Sequence, residues 1–332
     1  DKVLNIFYLF YLKILIYFIH INMKINVEKY GEAISKSRPN LKPNTIKQYE
    51  ANLKKLKKIF ETDNFDFLDN PEKVKEKISH LHFTSQRNHY NAIIVLLMAL
   101  NHDKKYDKLL EKYGEVRDQL NDEYNKQQQS GIISAKQAPN FATMEEINQM
   151  IDSISNELSE MKLKKKETLT KKEFALLQFF VLMKIYTRMP LRNDVADGME
   201  SISKAQYNKL SKEEQIDNNW LLVDKNKLSF VLNNYKSNKT YGQKTIPIED
   251  KDLKRLLRYF IKVSGEGALF KSSMGKGLSR NALSQLFLKE TKKRMGKSIS
   301  TTLLRKIYLS DKYGEMKEEL KKDNFVMGHS QG

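Results

Sequence analysis

The sequence predicts a mainly α-helical protein carrying a small antiparallel β-sheet, an α+β chain of two domains. Apolar residues recur at helical spacing through most of its length, and the pattern changes to short β-type runs only between residues 220 and 248. The polar stretch 125–140, NKQQQSGIISAKQAPN, broken by Gly131 and Pro139, separates two apolar-rich halves and reads as a linker. With 332 residues, 40% of them apolar, each half can build its own core.

Residues 1–22 stand apart. The run 3–21, VLNIFYLFYLKILIYFIHI, is apolar and nearly long enough for a membrane span, yet Lys13 lies in its middle. A central lysine costs about 2.5 to 3.5 kcal/mol on insertion scales, and no small-residue cleavage site comes after it. Nearly every residue type in the run can be encoded by A and T alone, so it reads as AT-rich upstream sequence translated ahead of Met23. No membrane association is expected, and the fold is expected to begin at Met23.

The first domain is expected over 23–124. Ile46, Tyr49, Leu53, Leu56 and Phe60 recur at threes and fours, while Lys47, Lys54, Lys55, Lys57 and Lys58 fill the positions between them. This spacing predicts a helix with one packing face and one basic face, started by Pro43 and Asn44. Asn70 and Pro71 mark the next break. The segment 74–78, a long helix over about 85–99 (Tyr90, Ile93, Ile94, Leu97, Met98) and the segment 106–120 complete a helical bundle.

The second domain is expected over 141–332. Thr143 with Glu145 and Glu146 starts a helix carrying Ile147, Met150, Ile151 and Ile154. Residues 174–186 are apolar nearly all round, hence a buried helix. Runs at 220–223, 227–232 and 244–248, separated by DKNK and SNKTYG, predict a three-stranded antiparallel meander. Helices resume at 252–263, 280–295 and 300–310.

Lys+Arg total 59 against 41 Asp+Glu, a formal charge of +18, which favours a polyanionic partner with nucleic acid first among them. Charge of this kind says nothing about catalysis. The absence of cysteine removes disulfides, thiolate nucleophiles and thiolate zinc sites, and suits a reducing intracellular setting. His80, His82 and His89 lie close in sequence, but no carboxylate falls at a ligand spacing beside them, so packing and surface roles are expected and no metal site.

Four strings remain. IYTRMPLRNDVADG (185–198) offers Arg192, which could instead be a surface arginine paired with Asp194 or Asp197, with Arg188 as a competing choice. YKSNKTYGQKTIPI (235–248) offers Lys239, with Lys236 and Lys244 close by. SISTTLLRKIYLS (298–310) places Leu303, Leu304, Ile307 and Tyr308 on one helix face and Thr302, Arg305, Lys306 and Leu309 on the other. FVMGHSQG (325–332) contains His329, the one histidine after His102.

In this order, and in this layout, the strings resemble the boxes of tyrosine recombinases of the phage-integrase family and, more loosely, of type IB topoisomerases. The resemblance spans about 41–332. It implies a helical DNA-clamping domain followed by a catalytic domain in which Arg192 and Arg305 engage the scissile phosphate. A guanidinium suits that role because its planar fork stays charged and can hold two nonbridging oxygens, including in the pentacoordinate transition state. Lys239, or Lys236 in its place, would protonate the departing 5′ oxygen, and His329 would donate to a phosphate oxygen. Thr302 stands where the family usually has histidine: its hydroxyl can hydrogen-bond phosphate but carries no charge.

The family's nucleophile is a tyrosine after the Gly-His-Ser box, giving a 3′-phosphotyrosyl intermediate without metal or other cofactor. The sequence ends at Gly332, so the resemblance implies a tyrosine beyond it; Tyr308 and Tyr313 precede His329 and do not match. The expected partners are double-stranded DNA, touched by Lys47, Lys54, Lys55, Lys58, Lys244 and Lys306, and further copies of the chain in a dimer or tetramer. A viral or mobile-element recombinase working wherever its DNA lies is the corresponding expectation. The rivals are a DNA-binding protein of the same fold with dead chemistry, a topoisomerase or telomere resolvase, and a basic RNA-binding scaffold.

Overall fold

The computed structural model describes residues 30–101, 104–129, 134–135 and 137–326. The apolar run 3–21, the expected fold start at Met23 and His329 lie outside the described residues. The chain divides into two compact units after Ile132, inside the interval expected to be a linker.

The first unit contains α1 (Tyr30–Ser37), α2 (Pro43–Ile59), α3 (Pro71–Ile78), α4 (Phe83–Leu100) and α5 (Asp107–Gln129). The local sequence sets their ends. Pro43 occupies the first turn of α2, and Asn70 caps α3 by accepting from the Lys73 amide at 3.0 Å, with Pro71 next in the chain. His82 caps α4 through Nδ1, which accepts from the Thr84 amide. Leu53 and Leu56 are fully buried with Ile34, Val74, Ile93 and Tyr113. Each such burial contributes about 1.5 to 3 kcal/mol. Helix α5 continues to Gln129, into the stretch expected to be linker.

One residue of α2 departs from expectation. Lys57, grouped with the basic face, is 6% exposed. Its ammonium donates to the Asp63 carbonyl and lies 5.3 Å from the Tyr30 ring centre and 4.7 Å from that of Phe65. It falls one position after Leu56 on the turn that faces the core, so periodicity alone could not assign it to solvent. Burial pushes its pKa down, with Asp63 opposing. Folding therefore binds this proton less readily than the unfolded chain does, and stability should rise with pH just below the ordinary lysine range. Lys57→Met should keep the packing of the stem and remove this pH dependence, which denaturant titrations at neutral and at alkaline pH would reveal.

The second unit starts with α6 (Met144–Glu160) and α7 (Lys171–Tyr186). Both open on capping boxes, Thr143 with Glu146 and Thr170 with Glu173, in which hydroxyl and carboxylate reciprocally satisfy backbone donors. Next come β1 (Glu200–Ser203), the short α8 (Lys204–Tyr207) and α9 (Lys212–Asp217), then β2 (Trp220–Asp224) and β3 (Lys227–Leu232). The unit closes with α10 (Asn238–Tyr241), β4 (Lys244–Pro247), α11 (Lys251–Ser264), α12 (Arg280–Met295) and α13 (Thr301–Val326).

The expected sheet needs correction: among the described residues it has four strands in the order β1-β2-β3-β4 and is mixed. β2, β3 and β4 pair antiparallel as expected, with Leu221 opposite Phe230 and Phe230 opposite Ile246. β1 adds to β2 in parallel, Glu200 opposite Trp220, and α8 and α9 make the crossover that parallel pairing needs. A four-residue strand reading ESIS, half-buried throughout, carries neither alternation nor β-branched enrichment to announce it. Leu221, Leu228, Phe230 and Leu232 of the sheet share one buried core with α7, whose residues Leu176 to Tyr186 are almost all buried. The protein is thus mainly helical with one small mixed sheet. Among the described residues no helix is long and apolar enough to cross a membrane.

Candidate functional site

Helix α7 is buried on every side at its end, and its last residue, Tyr186, anchors the adjoining segment: its hydroxyl donates to the Arg192 carbonyl at 2.7 Å. Leu191 is buried, and the next residue, Arg192, precedes a tight turn at Asn193–Val195 with its own side chain exposed. The turn thus pins the arginine's backbone while its guanidinium stands in solvent. No ion pair or hydrogen bond engages that guanidinium among the described residues.

Arg305 comes from α13. Leu303, Leu304 and Ile307 face the core at 2%, 0% and 1% exposure, which holds the helix and leaves Arg305 half-buried on the other side. Its guanidinium also lacks an ion-pair partner among the described residues. Burial lowers its pKa, the charge of Arg192 lowers it further, and Tyr186 and Asp194 oppose both effects. The two arginines, distant in sequence, therefore lie near enough to repel one another.

Asp194 is the centre of the group. It is 5% exposed, and burial pushes its carboxyl above the usual carboxylate range. Arg280, Arg192, Arg305 and Lys244 pull it back down, in that order of strength. Arg280 Nη1 lies 3.5 Å from Asp194 Oδ1, and Arg280 Nε is 2.5 Å from Asp197 Oδ2. Four cations minus the two carboxylates Asp194 and Asp197 leave a surplus of two positive charges. Such a surplus in a partly desolvated site favours an anion.

The pairing anticipated for Arg192 with Asp194 or Asp197 falls instead to Arg280. Arg188, the competing choice, donates from Nε to Asp250 Oδ2 at 2.7 Å and so belongs to the start of α11. Its charge bears on Lys184, which burial chiefly holds down.

The lysine segment is not a plain hairpin. β3 and β4 pair with Leu232 opposite Lys244, and the tip between them holds the short α10. Lys236 lies in the turn before α10 and Lys239 within it, both exposed. Lys244 opens β4 with its ammonium 4.8 Å from the Tyr235 ring centre and 4.9 Å from that of Tyr241. Its charge registers at Asp194, so it accompanies the arginine pair.

Thr302 is exposed, three residues before Arg305 on α13. Lys306 is half-buried and donates to Gln137 Oε1 at 3.0 Å. Tyr308 donates to the Arg188 carbonyl at 3.3 Å. On α2, Lys47, Lys54, Lys55 and Lys58 are exposed as expected. His89 is buried at 3% and burial holds its pKa down, which fits a packing role; no cluster of histidines and carboxylates suited to a metal occurs among the described residues.

Sequence reasoning missed Arg280 and Asn219. Asn219, 3% exposed, donates from Nδ2 to the Asp194 carbonyl at 2.8 Å and to the Asn234 carbonyl at 3.1 Å. Its Oδ1 accepts from the amides of Asn233 and Asn234, both at 2.7 Å. No local pattern marks either residue, because their partners lie far away in sequence. Compared with protein-family models, with curated proteins and with solved structures, the chain matches none.

Proposed function

We propose that this protein binds the backbone of duplex DNA and belongs to the chemistry of DNA strand cleavage and rejoining through a phosphotyrosyl intermediate. The observation that carries the reading is the pair Arg192 and Arg305, brought from separate segments to one buried carboxylate, neither guanidinium having an ion-pair partner among the described residues. A phosphodiester carries one negative charge and its pentacoordinate transition state two, so a local surplus of two positive charges suits the second better than the first.

In this reading each arginine fork engages nonbridging oxygens of one phosphate. A tyrosine hydroxyl gives up its proton to water and attacks phosphorus, the bond to the 5′ oxygen breaks, and a lysine ammonium gives that oxygen its proton. Lys239 is the choice from the sequence string, and Lys244 is supported by its electrostatic reach to Asp194. Thr302 can supply a hydrogen bond to phosphate but no charge. The part assigned to His329 rests on its string alone. The exposed lysines of α2, Lys47, Lys54, Lys55 and Lys58, would add sequence-independent phosphate contacts.

Duplex binding should fall steeply with salt as phosphate contacts release counterions, and each lost contact should reduce the slope by about one. Gel shifts from low to high salt test this for the chain and for Arg192→Ala. An absence of binding at every salt concentration removes the DNA reading, and an Arg192→Ala variant that binds normally removes the assigned site. A chain extended through a tyrosine after Gly332 should attach covalently to a nicked suicide duplex. Strong binding without attachment would leave the DNA-binding protein with dead chemistry.

A further inference from the structure

Three parts of the second unit must hold a fixed geometry if one phosphate is to meet both an arginine and a lysine. They are the turn after Arg192, the end of β3 that launches the lysine segment, and the start of α12. One residue joins all three. Arg280, the first residue of α12, donates from Nε to Asp197 Oδ2 at 2.5 Å and from Nη2 to the Asn234 carbonyl at 2.8 Å, with Nη1 3.5 Å from Asp194 Oδ1.

The backbone of Arg280 extends the same linkage. Its amide donates to Asp197 Oδ1 at 3.1 Å, and its carbonyl accepts from Asn193 Nδ2 at 3.0 Å. Asn193 Nδ2 also reaches Ser284 Oγ at 2.8 Å, and the Asp197 amide donates to the Leu278 carbonyl at 2.8 Å. Asp197 holds φ +60°, a left-handed conformation that a side chain adopts at some cost unless its surroundings fix it. Both of its carboxylate oxygens are held by Arg280.

Accepting Arg192 as a phosphate ligand, we infer that Arg280 and Asp197 form a clamp that positions the Arg192 turn against the lysine segment, with Arg280 acting as a positioning residue rather than as a phosphate ligand. A guanidinium is suited to this because its donors point in fixed, divergent directions within one plane, so a single side chain can tie two carboxylates and a carbonyl. Asn219 makes the parallel tie beneath it, from the Asp194 carbonyl to the Asn234 carbonyl. Both connections run between the same two segments, one from α12 and one from the start of the β2 region.

The discriminating variant is Asp197→Asn. Asparagine tolerates the left-handed backbone and keeps an acceptor for the Arg280 amide, so the fold should persist and the melting midpoint should change little. It removes one negative charge beside the site, which by charge alone would tighten DNA binding. The clamp predicts the opposite sign: several-fold weaker binding to a short duplex, with the salt slope reduced by about one.

A double-mutant cycle supplies the second readout. Arg280→Gln and Arg192→Ala should each weaken binding, and together they should weaken it no more than the stronger of the two, because both act through one contact. Multiplicative losses, with the salt slope falling by about two, would show Arg280 touching phosphate itself and overturn the inference. Unchanged or tighter binding by Asp197→Asn, with Arg192→Ala still weak, overturns it as well and leaves the functional reading standing. If Arg192→Ala binds normally, it is the functional reading that fails.

Discussion

If the proposed strand-cleavage chemistry holds, Arg305→Ala should slow formation of the phosphotyrosyl intermediate by about a hundred- to a thousandfold in a chain that carries the attacking tyrosine, the effect typical of losing one preorganised donor to a developing charge. It should do so without loss of stability. Burial and the neighbouring charge of Arg192 together lower the pKa of Arg305, so the folded protein holds this cation less favourably than the unfolded chain does. Removing it relieves that repulsion, and the unfolding midpoint should stay level or rise. A residue that serves the fold behaves in the opposite way. Measuring the covalent product and the melting curve on the same preparation separates the two, and a parallel fall in both would place Arg305 among the structural residues. Arg192→Ala should show the same separation, since its side chain is exposed and makes no ion pair among the described residues.

Phe287→Ala should destabilise the second unit by about 3 to 5 kcal/mol, the range for deleting a buried aromatic side chain. Phe287 is fully buried on α12, with its ring edge-on to Phe179 at 5.6 Å and to Tyr186 at 5.1 Å. Those contacts join α12 to the end of α7, and Tyr186 in turn holds the Arg192 carbonyl. The Phe287 carbonyl accepts from Thr291 Oγ1, which itself accepts from the Ile299 amide just ahead of α13. The cavity would therefore loosen both segments that carry the paired arginines. Denaturant titration gives the size of the loss, and a value under about 1 kcal/mol would mean that the neighbouring side chains close the gap.

Helices with their own punctuation are legible in the sequence. The expected 280–295 matches α12, because Ser279 caps its first turn and Gly296 ends it at φ +70°, both local events. The strand 227–232 matches β3 for the same reason, a short β-type run with turn residues on either side. The apolar run alone places the start of α7 at residue 174, later than its first residue Lys171, because the polar pair Thr170 and Glu173 forms the cap. Lys57 reads as solvent-facing because helical periodicity tolerates an error of one position at the edge of a face, where a long aliphatic stem can be buried.

The candidate site divides along the same line. Arg192, Arg305 and the lysines come from strings in which residue type and order carry the signal. Arg280 carries no such signal: its partners Asp194, Asp197 and Asn234 are far from it in sequence, and only the folded chain delivers them.

By itself, then, the sequence determined much of the local structure and the inventory: where the long helices lie and how several of them are capped, a positive surplus suited to a polyanion, and a short list of candidate arginines and lysines. Tertiary structure alone decided the company those groups keep. It added β1 in parallel to the sheet, turned Lys57 inward, engaged Arg188 with Asp250 and gave both aspartates to Arg280, with Arg192 and Arg305 facing each other's charge. The physical reason is reach. Capping and periodicity act within a turn or two of chain, whereas ion pairing and desolvation depend on distances in space that no local pattern encodes.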